Sequence, residues 1–362
     1  MIRLLHQYDT IMINFNQRQQ KIILIFLKNN ALSSSMVHAE ITKLKEDVSL
    51  VTIKRIISKL VAAGVLKISG SGRSTNYSIS TFGRVFADIN AKDYCVVEPV
   101  KRYGLIKYNF DLLPEIPLEL FSEDELKILE NATIEYERLS KDSPIAIQKK
   151  ELERLIIELS WKSSKIEGNT YTLLNTEKLI LKNEIAPNKT KEETQMILNH
   201  KDAFNFVRKN KSQFKTITRK NLEELHSILI KKLNVGKGLR KKSVGILGSI
   251  YRPLDNIYQI NDAIEILGKK ISQASSPYVK ALMTLLGLAY IQPFEDGNKR
   301  TARIMTNAIL LAYGLSPLSY RSIDENDYIE AMLVFYELNS IIPLKRIFIE
   351  QYSFATKNYA VK

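Results

Sequence analysis

The sequence predicts a mostly α-helical protein with two small β-hairpins. Apolar residues recur at helical spacing almost without interruption from Ser122 to the C-terminus. Three further helical patterns, over residues 17–29, 35–45 and 50–63, precede two short strand-like runs. Alternating apolar residues after residue 236 predict the second hairpin. A chain of 362 residues with this layout is expected to form two domains, each with its own core.

The third N-terminal helix begins after Ser49, a good N-cap, and presents Lys54 and Arg55 on its outer face. The runs VLKIS and NYSIS then flank the loop GSGRST, which predicts a hairpin with Arg73 at its tip. Residues 43–73 carry seven basic side chains against two acidic ones. The buried stripe of the third helix should comprise Ile53, Ile56, Ile57 and Leu60.

Three helices followed by a hairpin with a basic tip resemble a winged helix-turn-helix. We expect this domain over residues 1–90, and it should end with a helix over Phe82–Ile89. The resemblance implies DNA binding through Lys54, Arg55 and Arg73, with the third helix in the major groove. Two alternatives stay open: such modules also bind proteins, and a basic helix face is often simply solvated. Residues 91–121, which contain three prolines, are expected to form a connector to a second domain over 122–362.

Residues 292–303, QPFEDGNKRTAR, are the most informative stretch of the chain. Pro293 ends a buried helical pattern, Gly297 and Asn298 fit a tight turn, and Asn298 is a suitable cap for the helix that follows. The loop therefore lies at a helix N-terminus, where free backbone N–H groups favour phosphate. Arg300 and Arg303 are about one turn apart and should face the same side. An oxygen ligand for Mg²⁺ is available in Asp296.

This stretch resembles the active-site loop of the Fic (Fido) family, His-x-Phe-x-Asp/Glu-Gly-Asn-Gly/Lys-Arg-x-x-Arg. Every element is present except the histidine, whose position holds Gln292. The resemblance spans about residues 120–350 and implies transfer of AMP from ATP to a Ser, Thr or Tyr hydroxyl of a protein. It assigns Mg²⁺ to Asp296, the α-phosphate to Asn298 and the backbone of Gly297 and Lys299, and the outer phosphates to Arg300 and Arg303.

A second stretch, SSKIEGN at 163–169, ends a helical pattern expected over about 151–168. Ser163 and Glu167 are four residues apart and share a face, and Gly168 can terminate the helix. The stretch resembles the inhibitory motif Ser/Thr-x-x-x-Glu-Gly/Asn of one Fic subgroup. That resemblance implies a pairing of Glu167 with Arg303 that spoils the productive pose of the nucleotide.

A third stretch, residues 236–258, carries the predicted second hairpin. It resembles the flap with which Fic proteins hold a target segment by strand pairing, and we expect Val244, Ile246 and Tyr251 to take part. A purely architectural hairpin is the alternative. His226 lies on a helical pattern with leucines and is interpreted as structural.

Gln292 leaves the catalytic outcome open, because an amide has no pKa near neutrality and cannot accept the proton of a hydroxyl. A slow AMP transferase, a transferase with another base and a nucleotide-binding pseudoenzyme are all compatible with the sequence. Glu295 is the nearest ionisable substitute. A different class of function, a DNA-binding regulator whose nucleotide site acts as a sensor, is the alternative hypothesis.

Composition sets the remaining expectations. A single cysteine, Cys95, excludes a disulfide framework, and no early apolar run is long enough to span a membrane or to form a signal peptide, so a cytoplasmic protein is expected. The net charge of +14 is compatible with an anionic partner. The family resemblance also implies a target protein, which could be a second copy of the chain, and a homodimer, although no stretch identifies the interface.

Overall fold

A computed structural model describes residues 15–359 and confirms a mostly helical protein. Within this range the chain forms sixteen α-helices and a single two-stranded sheet. None of the described helices is both long and apolar enough to cross a bilayer.

The N-terminal unit follows the predicted order of helices and strands. Asn16, Ser33 and Ser49 each cap a helix by accepting a hydrogen bond from a backbone N–H group of its first turn. The two strands pair antiparallel with Leu66 opposite Ile79, and Arg73 lies exposed at the tip between them. The elements are α1 (Gln17–Lys28), α2 (Ser34–Lys43), α3 (Leu50–Ala62), β1 (Leu66–Ser69) and β2 (Asn76–Ile79).

Helix α3 buries Ile53, Ile57 and Leu60 in the core of this unit, as its pattern predicts. The prediction for Ile56 is wrong in degree, since its side chain is only partly buried. Lys54 and Arg55 lie exposed on the opposite face.

The helix predicted over Phe82–Ile89 is shorter than its pattern, because α4 spans only Thr81–Val85. The backbone beyond it bonds to the C-terminal part of the chain instead of continuing the helix. The carbonyl of Val85 accepts from Ile341 N at 3.0 Å, and that of Ala87 accepts from Ser340 Oγ at 2.6 Å. Tertiary hydrogen bonds thus replace the helical ones that the local sequence would favour.

The predicted connector, residues 91–121, is packed and partly helical. It contains α5 (Ala91–Cys95) and α6 (Leu112–Glu115), and five of its apolar residues join the main core: Leu112, Leu113, Ile116, Leu120 and Phe121. Glu337, fully buried, ties it down by accepting hydrogen bonds from Tyr94 at 2.7 Å and from Arg102 at 3.3 Å. A buried carboxylate is tolerated here because it is fully hydrogen-bonded.

Helices fill the rest of the chain and surround one that is buried on all sides. Every residue from Tyr278 to Ile291 is buried, so this helix is the centre of the core and not a surface helix. A neighbouring helix approaches it closely at Gly287, where a Cβ atom would lie 2.5 Å from Leu267. Ser122 and Glu125, which are three residues apart, form a capping box at the start of the first of these helices. The helices are α7 (Glu123–Asp142), α8 (Ile145–Lys165), α9 (Leu173–Lys182), α10 (Lys191–Lys209), α11 (Arg219–Leu229), α12 (Ile257–Gln273), α13 (Pro277–Ile291), α14 (Asn298–Ala312), α15 (Glu325–Leu338) and α16 (Ile342–Asn358).

Candidate active site

The loop 292–297 joins the buried helix α13 to α14 through two left-handed residues. Gln292 has φ 50° and ψ 61°, and Gly297 has φ 78°. Asn298 does not cap α14, as the sequence suggests, because Gly297 occupies the N-cap position. Instead the Asn298 amide accepts from Phe294 N and donates to Phe294 O, both at 2.8 Å. Asn298 is therefore the clamp that fixes the turn of the loop.

His226 on α11 supports the same loop from behind, which agrees with its interpretation as structural. Its ring stacks on Phe294 at 3.7 Å, and its Nε2 lies 2.9 Å from the carbonyl oxygen of Asp296. Burial lowers the pKa of His226 to about 4. The ring is therefore neutral near pH 7 and donates its Nε2–H to the carbonyl.

The two arginines of α14 lie buried beneath the loop. Arg300 is 2% exposed and donates to Asp296 Oδ2 at 2.7 Å. Arg303 is fully buried. In each of them Nη1 has no hydrogen-bond partner among the described residues. Two buried guanidinium groups with unused donors make the bottom of this loop a strong anion site.

The end of α8 lies against Arg303 and carries the stretch SSKIEGN, whose Ser163 and Glu167 both contact that arginine. Arg303 Nη2 donates to Glu167 Oε1 at 2.7 Å and to the carbonyl oxygen of Ser163 at 2.9 Å, while Nε donates to Ser163 Oγ at 2.8 Å. Lys299 Nζ is 3.6 Å from the other oxygen of Glu167. Gly168 has φ 91°, so it takes the left-handed conformation that lets the chain leave the helix.

The ion pair between Glu167 and Arg303 is strongly charged at neutral pH. Burial alone would raise the pKa of Glu167, but Arg303 and Lys299 outweigh it and hold that pKa below its usual value. Burial alone would likewise lower the pKa of Arg303, and Glu167 raises it instead. The ring of Tyr328 lies 5.6 Å from the same guanidinium and adds a cation–π contact.

Gln292 faces inward at the mouth of the loop, where its side chain is almost completely buried. Its Nε2 donates to the carbonyl oxygen of Ala289 at 2.6 Å. The carboxylates around the site are engaged elsewhere: Asp296 pairs with Arg300, and Glu295 accepts from Gly236 N at 3.2 Å. Glu295 is exposed, and its carboxylate is held toward the 236 loop by that bond.

The hairpin predicted over residues 236–258 is not formed, since the only sheet among the described residues is that of β1 and β2. The segment is irregular up to the start of α12. Ile246 is buried, whereas its neighbour Leu247 is 95% exposed. Tyr251 lies in the core, where it stacks on Tyr290 and donates to that residue's carbonyl oxygen at 2.9 Å. Tyr251 therefore anchors the segment and does not face a target.

Arg240, a residue that sequence reasoning missed, fastens this segment to the loop. It is 1% exposed, and its Nε donates to the carbonyl oxygen of Gln292 at 2.6 Å. Other bonds of its guanidinium go to the carbonyl oxygens of Lys242 and Leu254. The backbone N–H group of Arg240 donates to the carbonyl oxygen of Pro293 at 3.0 Å. Hydrogen bonds to loop carbonyls, which have no sequence signature, take the place of strand pairing.

The space enclosed by these elements is a cavity of about 120 Å³. Sites for ligands of the size of a nucleotide usually measure about 300–1,000 Å³. Glu167 and residues 244–247 line this cavity, and its volume lies below that usual range. The residues that line it are Glu167, Val244, Gly245, Ile246, Leu247, Gln292, Glu295, Asp296, Gly297, Asn298 and Lys299.

Residues 216–310, which contain the loop and both arginines, match the model of the Fic/DOC family. This part of the chain is similar to a Fic domain. Two relatives named protein adenylyltransferase Fic support this: that of Nematostella vectensis is 31% identical over 172 residues, and that of Aedes aegypti is 27% identical over 199 residues. These matches cover 46% and 53% of this chain but only 40% and 39% of the relatives.

Solved Fic structures share the fold of this chain at low sequence identity. A fragment of Fic-1 from C. elegans aligns with a TM-score of 0.57 at 18% identity, over 65% of this chain and 72% of that one. A Fic domain-containing signalling protein from Bacteroides thetaiotaomicron aligns with a TM-score of 0.53 at 20% identity, over 64% of this chain and 96% of that one. These similarities establish the fold of the Fic domain.

Proposed function

We propose that the Fic domain of this chain binds ATP and transfers AMP to a protein hydroxyl. The observation that carries the proposal is the pair of buried arginines, Arg300 and Arg303, each with an unused Nη1 donor at the N-terminus of α14. Buried cationic donors of this kind are suited to the oxygens of a polyphosphate. The relatives named protein adenylyltransferase supply the class of reaction.

In this proposal the outer phosphates bind to Arg300 and Arg303, which hold them bidentately as lysine could not. The backbone N–H groups of residues 297–299 face the α-phosphate and stabilise the charge that develops on it. The amide of Asn298, which is fully used in clamping Phe294, acts by holding that backbone in place.

Mg²⁺ is the metal that the proposed reaction implies. The described residues contain no group of three or more carboxylate, histidine or cysteine side chains that could hold an ion by themselves. Asp296, 65% exposed, offers one carboxylate, which fits Mg²⁺ because that ion commonly takes one or two carboxylates together with substrate phosphates. Asp296 would hold the ion, and the ion would neutralise phosphate charge.

We propose further that the chain is autoinhibited. Glu167 uses the donor of Arg303 that an outer phosphate needs, and its charge repels that phosphate. Gln292, without a usable pKa, can orient the target hydroxyl but not take its proton. The loss of a general base costs about 10²- to 10⁴-fold in rate, so we expect slow turnover, which the experiment below distinguishes from no turnover.

Incubation of the full chain with Mg²⁺ and ATP labelled on the α-phosphate tests the proposal. We expect AMP adducts on the chain itself or on proteins of a lysate, more strongly with Glu167→Gly than with the unaltered chain. Label on the γ-phosphate should not be incorporated. An absence of α-label from both proteins, although ATP binds, would favour a nucleotide-sensing pseudoenzyme.

A second candidate function rests on the N-terminal unit. Its order of elements, three helices followed by an antiparallel hairpin, supports a winged helix-turn-helix. Lys54 and Arg55 on α3 and Arg73 at the hairpin tip are exposed, and none of the three forms an ion pair with another described residue. We propose that this face binds DNA, so that the chain could act as a regulator whose Fic domain senses nucleotide.

A fluorescence-anisotropy titration with duplex DNA at several salt concentrations tests this second function. Exchanging Lys54 and Arg55 for glutamine should weaken binding and reduce the slope of log K against log salt by about one per residue removed. Lys191→Gln with Lys220→Gln, two exposed lysines of the Fic domain, is the matched control. Equal binding by both double variants would reject the α3 face, and absence of DNA binding would favour a protein partner.

A further inference from the structure

A buried histidine outside the cavity is connected to Arg303 through one serine. His200 on α10 is fully buried, and its Nε2 lies 2.8 Å from Ser163 Oγ. Its Nδ1 lies 3.2 Å from the carbonyl oxygen of Met196. The histidine does not line the cavity around the loop, and the function proposed above gives it no role.

The direction of these hydrogen bonds follows from the donors and acceptors available. A carbonyl only accepts, so Nδ1 of His200 carries the proton bonded to Met196 O. Burial, together with the charges of Arg300 and Arg303, lowers the pKa of His200 to about 3, so Nε2 has no proton at neutral pH. The Ser163 hydroxyl therefore donates to Nε2, and its oxygen is left to accept from Arg303 Nε at 2.8 Å.

The guanidinium of Arg303 is thus held along two separate edges. Ser163 accepts from Nε through its Oγ and from one N–H of Nη2 through its carbonyl oxygen, whereas Glu167 accepts only from Nη2. Departure of Glu167 frees one N–H of Nη2 and leaves the bonds from Nε and Nη2 to Ser163 in place. Nη1, buried and unpaired, lies on the same free side of the group.

We infer that His200 is a positioning residue that acts through Ser163, orienting Arg303 so that its Nη atoms receive the outer phosphates of the nucleotide once Glu167 withdraws. On this view Ser163 serves the productive state as well as the inhibited one. The inference rests on the proposed function, because it needs a nucleotide with outer phosphates in the site.

The test compares ATP with AMP, which lacks the outer phosphates, by calorimetric titration of the full chain. All variants carry Glu167→Gly so that the site is open. Ser163→Ala removes one hydrogen bond to a charged group, and His200→Phe removes the acceptor that orients the same hydroxyl. We expect each to weaken ATP binding about tenfold, while AMP binding changes less than about twofold. His200→Gln, whose amide oxygen can accept the Ser163 proton, should restore ATP binding.

Because both substitutions break the same chain of hydrogen bonds, the double variant should bind ATP no more weakly than either single variant. Ser140→Ala, at another buried serine, and His38→Phe, in the N-terminal unit, are the matched controls and should leave both ligands unaffected.

A parallel loss of ATP and AMP binding would show a merely structural role and overturn the inference, as would unchanged ATP binding by folded Ser163→Ala. If the His200 variants fail to fold, Ser163→Ala decides by itself. If the parent Glu167→Gly binds no ATP at all, the proposed function fails instead, so the two failures are distinguishable.

Discussion

Removal of the Glu167 carboxylate is the sharpest perturbation that the site offers. Glu167 Oε1 accepts from the fully buried Arg303 at 2.7 Å, and the Glu167 side chain is itself only 19% exposed. A hydrogen bond to a charged group contributes about 1.5–3 kcal/mol, and solvent screens little of it at this depth. An incoming phosphate must displace this bond, so its removal should tighten ATP binding by about 10- to 100-fold.

The same substitution should lower the stability of the free protein. It leaves Arg303 as a buried cation with Ser163 and Tyr328 as its remaining neighbours. The loss of one partner from a fully buried pair costs about 3–5 kcal/mol, and the remaining contacts reduce this to about 2 kcal/mol. ATP, which supplies new negative charge to Arg303, should therefore raise the melting temperature of Glu167→Gly more than that of the unaltered chain.

Calorimetric titration with Mg²⁺-ATP and with AMP, together with thermal melts, measures both effects. Glu167→Gln, which keeps the size but not the charge, should reproduce most of the gain in ATP affinity. Glu177→Gln on α9, an exposed glutamate, is the matched control and should change neither quantity. Equal ATP affinity of folded Glu167→Gly and the unaltered chain would refute the reasoning, because it would mean that Arg303 does not meet the nucleotide.

Three other outcomes follow from the same geometry. Gln292→His in the Glu167→Gly background should raise AMP transfer by about 10²-fold or more in a labelled-ATP assay with little change in ATP affinity, and no gain would mean that the site lacks more than a base. Asn298→Ala should lower the free energy of unfolding by about 2 kcal/mol, since both backbone groups of Phe294 lose their partner, and chemical denaturation would contradict this by showing no change. Because the pKa of Glu167 is lowered, its carboxylate stays charged and paired with Arg303 above about pH 4.5, and the pair weakens only as the pH falls through that lowered pKa. The ratio of ATP affinities between Glu167→Gln and the unaltered chain should therefore stay constant from pH 6 to pH 8. A ratio that varied over this range would contradict the prediction.

Local sequence patterns predicted the elements whose partners are near in the chain. The cap at Ser49 and the capping box at Ser122 depend on residues three positions apart, and both are present. The buried stripe of α3 follows from helical periodicity, which fails only for Ile56, at the edge of the stripe. Such features need no tertiary information.

Predictions failed where distant parts of the chain decide the local structure. Alternation in residues 236–258 favours strands, yet Arg240 and Tyr251 hold that segment on the backbone of residues near the loop. Asn298 has the residue type of an N-cap, but the left-handed Gly297 before it takes that place. The hydrogen bonds from Arg240 to backbone carbonyl oxygens leave no pattern in the sequence, because the bonded residues lie far apart along it. The same is true of the hydrogen bonds that link His200 to Arg303 through Ser163.

The geometry of the loop separates binding from turnover. The groups that would hold phosphate, Arg300, Arg303 and the first turn of α14, are fixed by Asn298, His226 and Ser163, and none of these contacts depends on the side chain of Gln292. Gln292 contributes to the shape of the loop through its backbone instead. That backbone is left-handed, and its carbonyl oxygen accepts a hydrogen bond from Arg240. In the proposed function the side chain at this position would therefore set the rate of proton transfer without disturbing the phosphate-binding groups, and a chain with glutamine here would keep those groups whether or not it turns ATP over.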